Sequence, residues 1–262
     1  MAERTDIGTA SDDGSEQTHG KRVYVYFVLL ALLVLLAAGL KTRWQRYTPV
    51  KQVVVEGTSV LSREEIVRLM NLQTTQPMYD IDLTSVQRNI MTNSFIQSAV
   101  IQRDPPAALR VTVVERKPAA ILNAGELYYL SEDGTVLPYI ASEETYDIPV
   151  ISGLDSVKGI KAGQKLQHAD VQEALQIITA SKYTSKELFH TISEIRLRKG
   201  KELVLYSFET GVPIIFGKGD AVKKMVKLDA FWQQFMQGGA SPDIQYIDIR
   251  FDDQVVVSRK DS

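Results

Sequence analysis

Residues 50–66, VKQVVVEGTSVLSREEI, put a strand, a turn and a helix start in direct succession. Val50 to Glu56 is β-branched and short, and Gly57 closes it. Ser62 and Glu65 then stand at capping-box spacing, with Leu61 and Ile66 at the staple positions on either side. The helix that follows carries Ile66, Leu69 and Met70 on one stripe and stops near Asn71. Beyond a loop containing Pro77, a second amphipathic helix begins at about Asp82 with Leu83, Val86, Ile90 and Met91 as its apolar face. Phe95 to Arg103 and Ala108 to Arg116 read as strands separated by Asp104-Pro105-Pro106. In the second, Leu109, Val111 and Val113 alternate with Arg110 and Thr112, as a sheet with one wet face requires. The unit is therefore β-α-α-β-β.

Upstream, Val23 to Leu40 (VYVYFVLLALLVLLAAGL) is free of charge, bounded by Lys21 and Arg22 before it and by Lys41, Arg43 and Arg46 after it. At about 1.5 Å per residue it covers roughly 27 Å, close to the hydrocarbon thickness of a bilayer. Tyr24, Tyr26, Trp44 and Tyr47 fall where amphipathic rings favour the two interfaces. The expectation is a single transmembrane helix at 23–40, preceded by a disordered polar tail at 1–22 and followed by a juxtamembrane linker at 41–49. The triplet Ala37-Ala38-Gly39 offers the alternative of a cleaved signal peptide. Flanking positive charge would place the large domain in the cytoplasm, a rule that large domains escape.

Composition limits the remaining classes. Net charge is -2 and hydrophobic residues make up 44% of the chain, which supports a packed core and gives no electrostatic case for nucleic acid. Cysteine is absent, excluding thiolate catalysis, disulfides and thiolate-bound metals. His19, His168 and His190 stand alone, without a second ligand at helical or hairpin spacing. Gly217-Lys218-Gly219-Asp220 lacks the glycine spacing and the Lys-Ser/Thr step of a phosphate loop and reads as a strand-to-helix turn capped by Asp220. The acidic pair Glu143-Glu144 reads as solvated loop. No catalytic residue, cofactor, metal or small-molecule substrate is expected.

From about Ile121 to Val257 the pattern is a second, mixed domain. Leu127 to Leu130 and Val136-Leu137 flank the turn signal Asp133-Gly134, and Pro149 to Gly153 continues in β fashion. A helix spans about 170–182, and strands follow at 192–197, 203–207 and 212–216, the last two joined through Glu209-Thr210-Gly211. A long helix from about Asp220 to Met236 is expected to bury Val222, Met225, Val226, Phe231, Trp232 and Phe235. After Gly238-Gly239 the chain closes on Tyr246 to Phe251 and Val255 to Val257. A last strand has nothing after it to cover its outer side, so its unpaired backbone groups can accept another strand.

The five-element order resembles a POTRA domain, and its place just after one apolar stretch resembles the FtsQ/DivIB family of bacterial division proteins. The resemblance is carried by Val53-Val54-Val55-Glu56-Gly57, the Leu61-Ser62 helix start, Pro105-Pro106 with Leu109 to Val113, and Glu115-Arg116-Lys117-Pro118-Ala119-Ala120. Gly217 to Asp220, Lys227-Leu228-Asp229-Ala230-Phe231 and Tyr246 to Phe251 extend it. It implies an α+β protein: a single transmembrane helix, a POTRA domain at 50–118 and a mixed α/β domain built on an antiparallel sheet at 119–257, with 258–262 as a tail. Glu115, Arg116 and Pro118 would form the domain junction, the first two as an ion pair and the proline where a ladder stops. The resemblance also implies a non-catalytic scaffold in the inner membrane at the septum, amino terminus in the cytoplasm, binding FtsB/FtsL-type bitopic subunits. Tyr246, Ile249, Phe251, Asp253 and Val255 would make the contact. Phe251 would serve as aromatic anchor and Asp253 as flanking polar group, while Arg196, Arg198 and Lys199 meet an acidic partner segment. Only Ser258 to Ser262 follow Val257, so a long polar tail of the kind many members carry is missing from the sequence and the edge is less screened. A POTRA-type chaperone subunit of a translocation system is the alternative.

Overall fold

The computed structural model describes residues 16–46, 48–73, 76–140, 146–154, 159–198, 202–237 and 244–260, with side chains for all of these except 16–23, 41–46 and 235–237. Helix α1 (Glu16–Arg46) carries the apolar stretch, and its side chains from 24 to 40 are exposed. Among the described residues no helix is long and apolar enough to cross a membrane.

Strands β1 (Gln52–Glu56), β2 (Ile96–Asp104) and β3 (Ala108–Glu115) form a sheet in the order β1-β3-β2, and helices α2 (Arg63–Met70) and α3 (Leu83–Ile90) lie between β1 and β2 in sequence. Helix α2 starts as its sequence dictates. Ser62 accepts from the Glu65 amide while the Glu65 carboxylate accepts from the Ser62 amide, and Asn71 ends the helix in the left-handed region at φ 50. Leu61 and Ile66, the staple pair, are both buried. Helices α2 and α3 meet through a core containing Ile66, Met70, Val86 and Ile90. Met91 falls one residue past α3 and is exposed, so it is not part of that apolar face. In β3, Leu109, Val111 and Val113 are buried and Thr112 is exposed, the alternation that the sequence carries. Gly57 (φ +88) lets the chain leave β1, since a Cβ there would lie 2.0 Å from the Val113 carbonyl oxygen.

Two compact units are distinguished. One gathers Met1–Val54, Leu72–Asp82 and Gln102–Arg110; the other gathers Val55–Asn71, Leu83–Ile101 and Val111–Ser262. Within the first, Arg103 ties down the 77–81 loop by donating to the carbonyls of Met78 (3.1 Å) and Ile81 (2.7 Å).

The second unit holds a nine-stranded sheet ordered β12-β11-β10-β9-β8-β7-β4-β5-β6. Its strands are β4 (Pro118–Asn123), β5 (Leu127–Ser131), β6 (Val136–Pro138), β7 (Val150–Ser152), β8 (Ile192–Arg198), β9 (Glu202–Ser207), β10 (Pro213–Gly217), β11 (Ile244–Asp248) and β12 (Val256–Arg259). The sheet is mixed rather than simply antiparallel: β4–β7, β7–β8 and β10–β11 run parallel. Helices α4 (Ala169–Thr184) and α5 (Lys186–Thr191) form the crossover between β7 and β8, and α6 (Ala221–Gln237) the one between β10 and β11. The Asp133-Gly134 and Thr210-Gly211 turns join antiparallel pairs as expected.

Strand pairing sorts the side chains into two sets. Ile195, Leu205, Ile214, Ile247 and Val257 are successive partners across β8, β9, β10, β11 and β12, and all belong to the core shared with α4 and α6. Shifted by one residue, Arg196, Val204, Ile215, Asp248 and Val256 form the row on the other face. On α6 the buried stripe is Met225, Leu228 and Trp232, each worth about 1.5–3 kcal/mol on burial. Val222 and Val226 are instead 66% and 54% exposed, against the expectation, and Phe231 is half-buried. Val226 follows Met225 by one residue, which turns it about 100° off the core direction. Phe235, Gly238-Gly239 and Glu143-Glu144 lie outside the described side chains or residues.

Candidate functional site: the open edge of the nine-stranded sheet

Glu115, Arg116 and Pro118 each do something other than expected. Glu115 and Arg116 do not bond to each other but to backbone. The buried Glu115 carboxylate accepts from the Ser59, Val60 and Leu61 amides and the Ser59 hydroxyl at 2.7–3.0 Å, fixing the approach to α2. Arg116 donates from Nη1 to the carbonyls of Ser94 (2.9 Å) and Ile96 (2.5 Å), and its Nε lies 3.7 Å from Asp133. Burial pushes the Asp133 carboxyl up, but hydrogen bonds from Ser131 and Thr135 and the Arg116 charge outweigh it and hold the group below its usual range. Pro118 does not end a ladder. It opens β4, opposite Ser131, a first position where no amide donor is missed.

At the opposite end of the sheet, β12 pairs with β11 alone. Among the described residues, no strand lies on its outer side. The edge is thus β12, and the Tyr246-containing strand β11 is one place inside it. Residues 249–255, between the two strands, are held by side chains from α6 and by an arginine corner. Lys227 donates to the carbonyls of Ile249 (3.1 Å) and Phe251, and Lys223 pairs with Asp252 at 3.0 Å. Lys223 and Lys227 are four apart, hence on one helix face. Arg250 donates from Nε and Nη2 to the two oxygens of Asp248 (3.0 and 2.7 Å) and from Nη1 to Glu202 (2.8 Å). Burial of Asp248 acts to raise its pKa, yet the Arg250 bonds and charge leave it below the ordinary carboxylate value. The Lys223 bond likewise lowers Asp252.

The expected contact residues divide on this frame. Phe251 (47% exposed) and Asp253 project from the turn, and Tyr246 and Val255 are half-buried. Ile249 is fully buried, its amide donating to the Ile215 carbonyl at 3.1 Å, so it supports the edge from within. Arg196 and Arg198 are exposed on β8, and Arg196 occupies the same row as Val256, four strand spacings or roughly 19 Å away. Arg196 is already engaged by both Glu194 oxygens (3.0 Å each) and stands over the Tyr206 ring at 5.0 Å, while Arg198 donates to the Tyr206 hydroxyl at 3.1 Å. Lys199 lies outside the described residues. Lys223, Lys227 and Arg250 escaped the sequence reading, although the Lys223/Lys227 helical spacing and the Asp248/Arg250 alternation signal them.

The glycine-lysine turn is structural. Lys218 pairs with Asp170 at 2.6 Å, and the buried Lys224 donates to the carbonyls of Phe216 (3.1 Å) and Lys218 (2.6 Å). Asp220 sits at φ 55, left-handed backbone rather than the extended conformation of an ordinary N-cap. His190 is not alone but 2.6 Å from Asp147. Among the described residues, no three acidic or histidine groups converge on a metal-sized site.

A β-α-α-β-β unit followed after Arg116 and Lys117 by a mixed sheet with an open final edge defines a POTRA-plus-β-domain protein. The matching family models are "POTRA domain, FtsQ-type" over residues 48–116 and "FtsQ/DivIB, C-terminal related" over 117–258. The chain belongs to the FtsQ/DivIB family, and its role is in cell division. Relatives named cell division protein FtsQ include that of Geotalea daltonii, 28% identical over 80% of this chain and 75% of its own length. That of Geobacter sp. strain M21 is 28% identical over 82% and 81%, and that of Rhodothermus marinus 27% over 93% and 91%.

Proposed function

We propose that the chain is a membrane-tethered, non-catalytic division scaffold that captures an FtsB-type bitopic subunit, itself paired with an FtsL-type coiled coil, by adding a partner strand to the outer side of β12. The single observation that carries this is the position of β12: last in the sheet, paired on one side only, with Phe251 exposed on the turn that leads into it. Strand addition draws its affinity from main-chain hydrogen bonds and its specificity from side chains beside the edge. Phe251 is the anchor, Asp253 and Val255 flank it, and Tyr246 and Arg198 continue the surface across the open face. The Val23–Leu40 stretch of α1 serves as the membrane span, with the two modules outside the inner membrane. Holding both modules beside one bilayer raises the local concentration of septal partners without any reaction.

The test is co-purification of the FtsB/FtsL-type pair with the full chain. An exposed aromatic that anchors an interface contributes about 2 kcal/mol or more, so Phe251→Lys should lower recovery roughly 30-fold. Val257→Pro, which removes an amide that faces away from β11, should do the same with the fold intact by circular dichroism. Unchanged recovery in both variants removes strand addition from consideration.

A further inference from the structure

On the helix-covered face, away from the row that ends at Val256, α4 and α6 leave an open groove of ≈ 1200 Å³. Its walls are two stripes at helical spacing: Leu175, Thr179 and Tyr183 on α4, and Val222, Val226 and Asp229 on α6. Tyr183 is 86% exposed, Val222 66% and Val226 54%. Three large apolar side chains held in one groove, with Leu175 buried beneath them, are more than the scattered exposure usual on a surface. The groove is open and larger than the usual small-molecule cleft of about 300–1000 Å³, so it suits a segment of polypeptide. Helix α4 has 16 residues and so offers about 24 Å, roughly four helical turns.

Charge selects the segment. The lining contributes three carboxylates, Glu132, Asp220 and Asp229, and one ammonium group, Lys223; Lys223 is committed to Asp252 and Glu132 to a neighbouring lysine, which leaves Asp220 and Asp229 as the acidic groups that select the segment. Lys182, next to the groove, is likewise taken by Glu132 at 2.7 Å. We propose that this groove docks an amphipathic helix of a partner protein whose apolar stripe, at i, i+3/i+4 and i+7, is flanked by Lys and Arg. The apolar stripe lies between Tyr183 and the two valines, and the basic flanks meet Asp229 and Asp220. The site lies on the helix side of the sheet, and it touches the β12 edge site through Lys223, which lines the groove and pairs with Asp252 in the 249–255 turn.

The experiment uses the full chain in its native host with Val226→p-benzoylphenylalanine or, separately, Val222→p-benzoylphenylalanine, both at exposed positions. After irradiation the cross-linked segment is sequenced by tandem mass spectrometry. The expected product is a segment of another protein with three apolar residues at helical spacing and Lys or Arg on its flanks. Adding Asp229→Lys should cut the yield about fivefold, as reversal of a rim charge does. Asp229→Asn, which preserves the side-chain shape, should cut it in the same direction by less, so a folding fault in the lysine variant does not hide the result. A cross-link to a second copy of this chain, to lipid, or to an acidic or non-helical segment overturns the proposal, as do yields unchanged by both Asp229 variants or no cross-link at either position.

Discussion

Replacing Glu115 by Ala is the sharpest perturbation that this fold offers. One carboxylate there accepts four hydrogen bonds, three of them from consecutive amides 54 to 56 residues earlier in the chain. A hydrogen bond to a charged group is worth about 1.5–3 kcal/mol, but four sharing one acceptor do not add. The Ser59 and Val60 amides are part-buried and regain water when the carboxylate is gone. The Leu61 amide is buried and does not, leaving an unmet donor that costs about 1–3 kcal/mol by itself. The total is about 3–5 kcal/mol, a large share of the 5–15 kcal/mol that holds a typical domain together. At about 2–4 °C per kcal/mol for a chain of this size, the unfolding midpoint falls by roughly 6–20 °C. Calorimetry on the detergent-solubilised full chain measures the midpoint, and hydrogen exchange read at residues 59–61 locates the loss. Glu115→Gln should fall between, since its amide nitrogen must face a donor. A midpoint shift under about 2 °C with unchanged exchange at 59–61 would refute the assignment of Glu115 as the fastener of the approach to α2.

Two further outcomes are expected, one from the Asp248–Arg250 corner and one from the proposed tether. Asp248 has its folded pKa held below the ordinary 3.8, so its contribution is fully present above that value and lost as pH falls through the lower folded pKa. Denaturant titrations below about pH 4 should show wild type losing more stability than Asp248→Asn, which lacks that titration; parallel pH curves would count against the Asp248–Arg250 corner. For the tether, alkaline phosphatase fused after Ser262 should be active in whole cells, and an inactive phosphatase with an active cytoplasmic reporter at the same position would reverse the proposed orientation.

What was legible in the sequence was chiefly what is local. The Ser62/Glu65 box, the stripe of Ile66, Leu69 and Met70, and the alternation of Leu109, Val111 and Val113 depend on neighbours within a turn or a pleat; the box and the alternation appear as read, and of the stripe Ile66 and Met70 are buried while Leu69 is half-buried. Pairings between distant segments were not available. Pro118 looks like a stop signal until Ser131 is seen opposite it, and the six residues of α5 are too few to show a period. Ile249 reads as part of an exposed final strand, and only its bond to Ile215 places it inside. On α6, apolar residues at 222, 225, 226, 228, 231 and 232 cover more than half the helix circumference, so periodicity gives a mean direction but not the limits of the buried stripe. The valines that fell outside those limits now line the α4–α6 groove.

The two interleaved rows across β8 to β12 also act as a ruler. If β11 slipped by one residue, the Asp248 carboxylate or the Tyr246 ring would take the place of Ile247 beneath the helices, and an isoleucine would be turned out to water. A misregistered sheet would therefore bury a carboxylate without its Arg250 partner, which costs several kcal/mol and disfavours drift. The consequence reaches the outermost strand: β12 is laid against a neighbour with one permitted phase, so odd and even positions along the free edge have fixed and different surroundings. Any chain that aligned with that edge would meet positions that alternate in steps of two residues, Val257 toward the helices and Val256 and Ser258 on the opposite face.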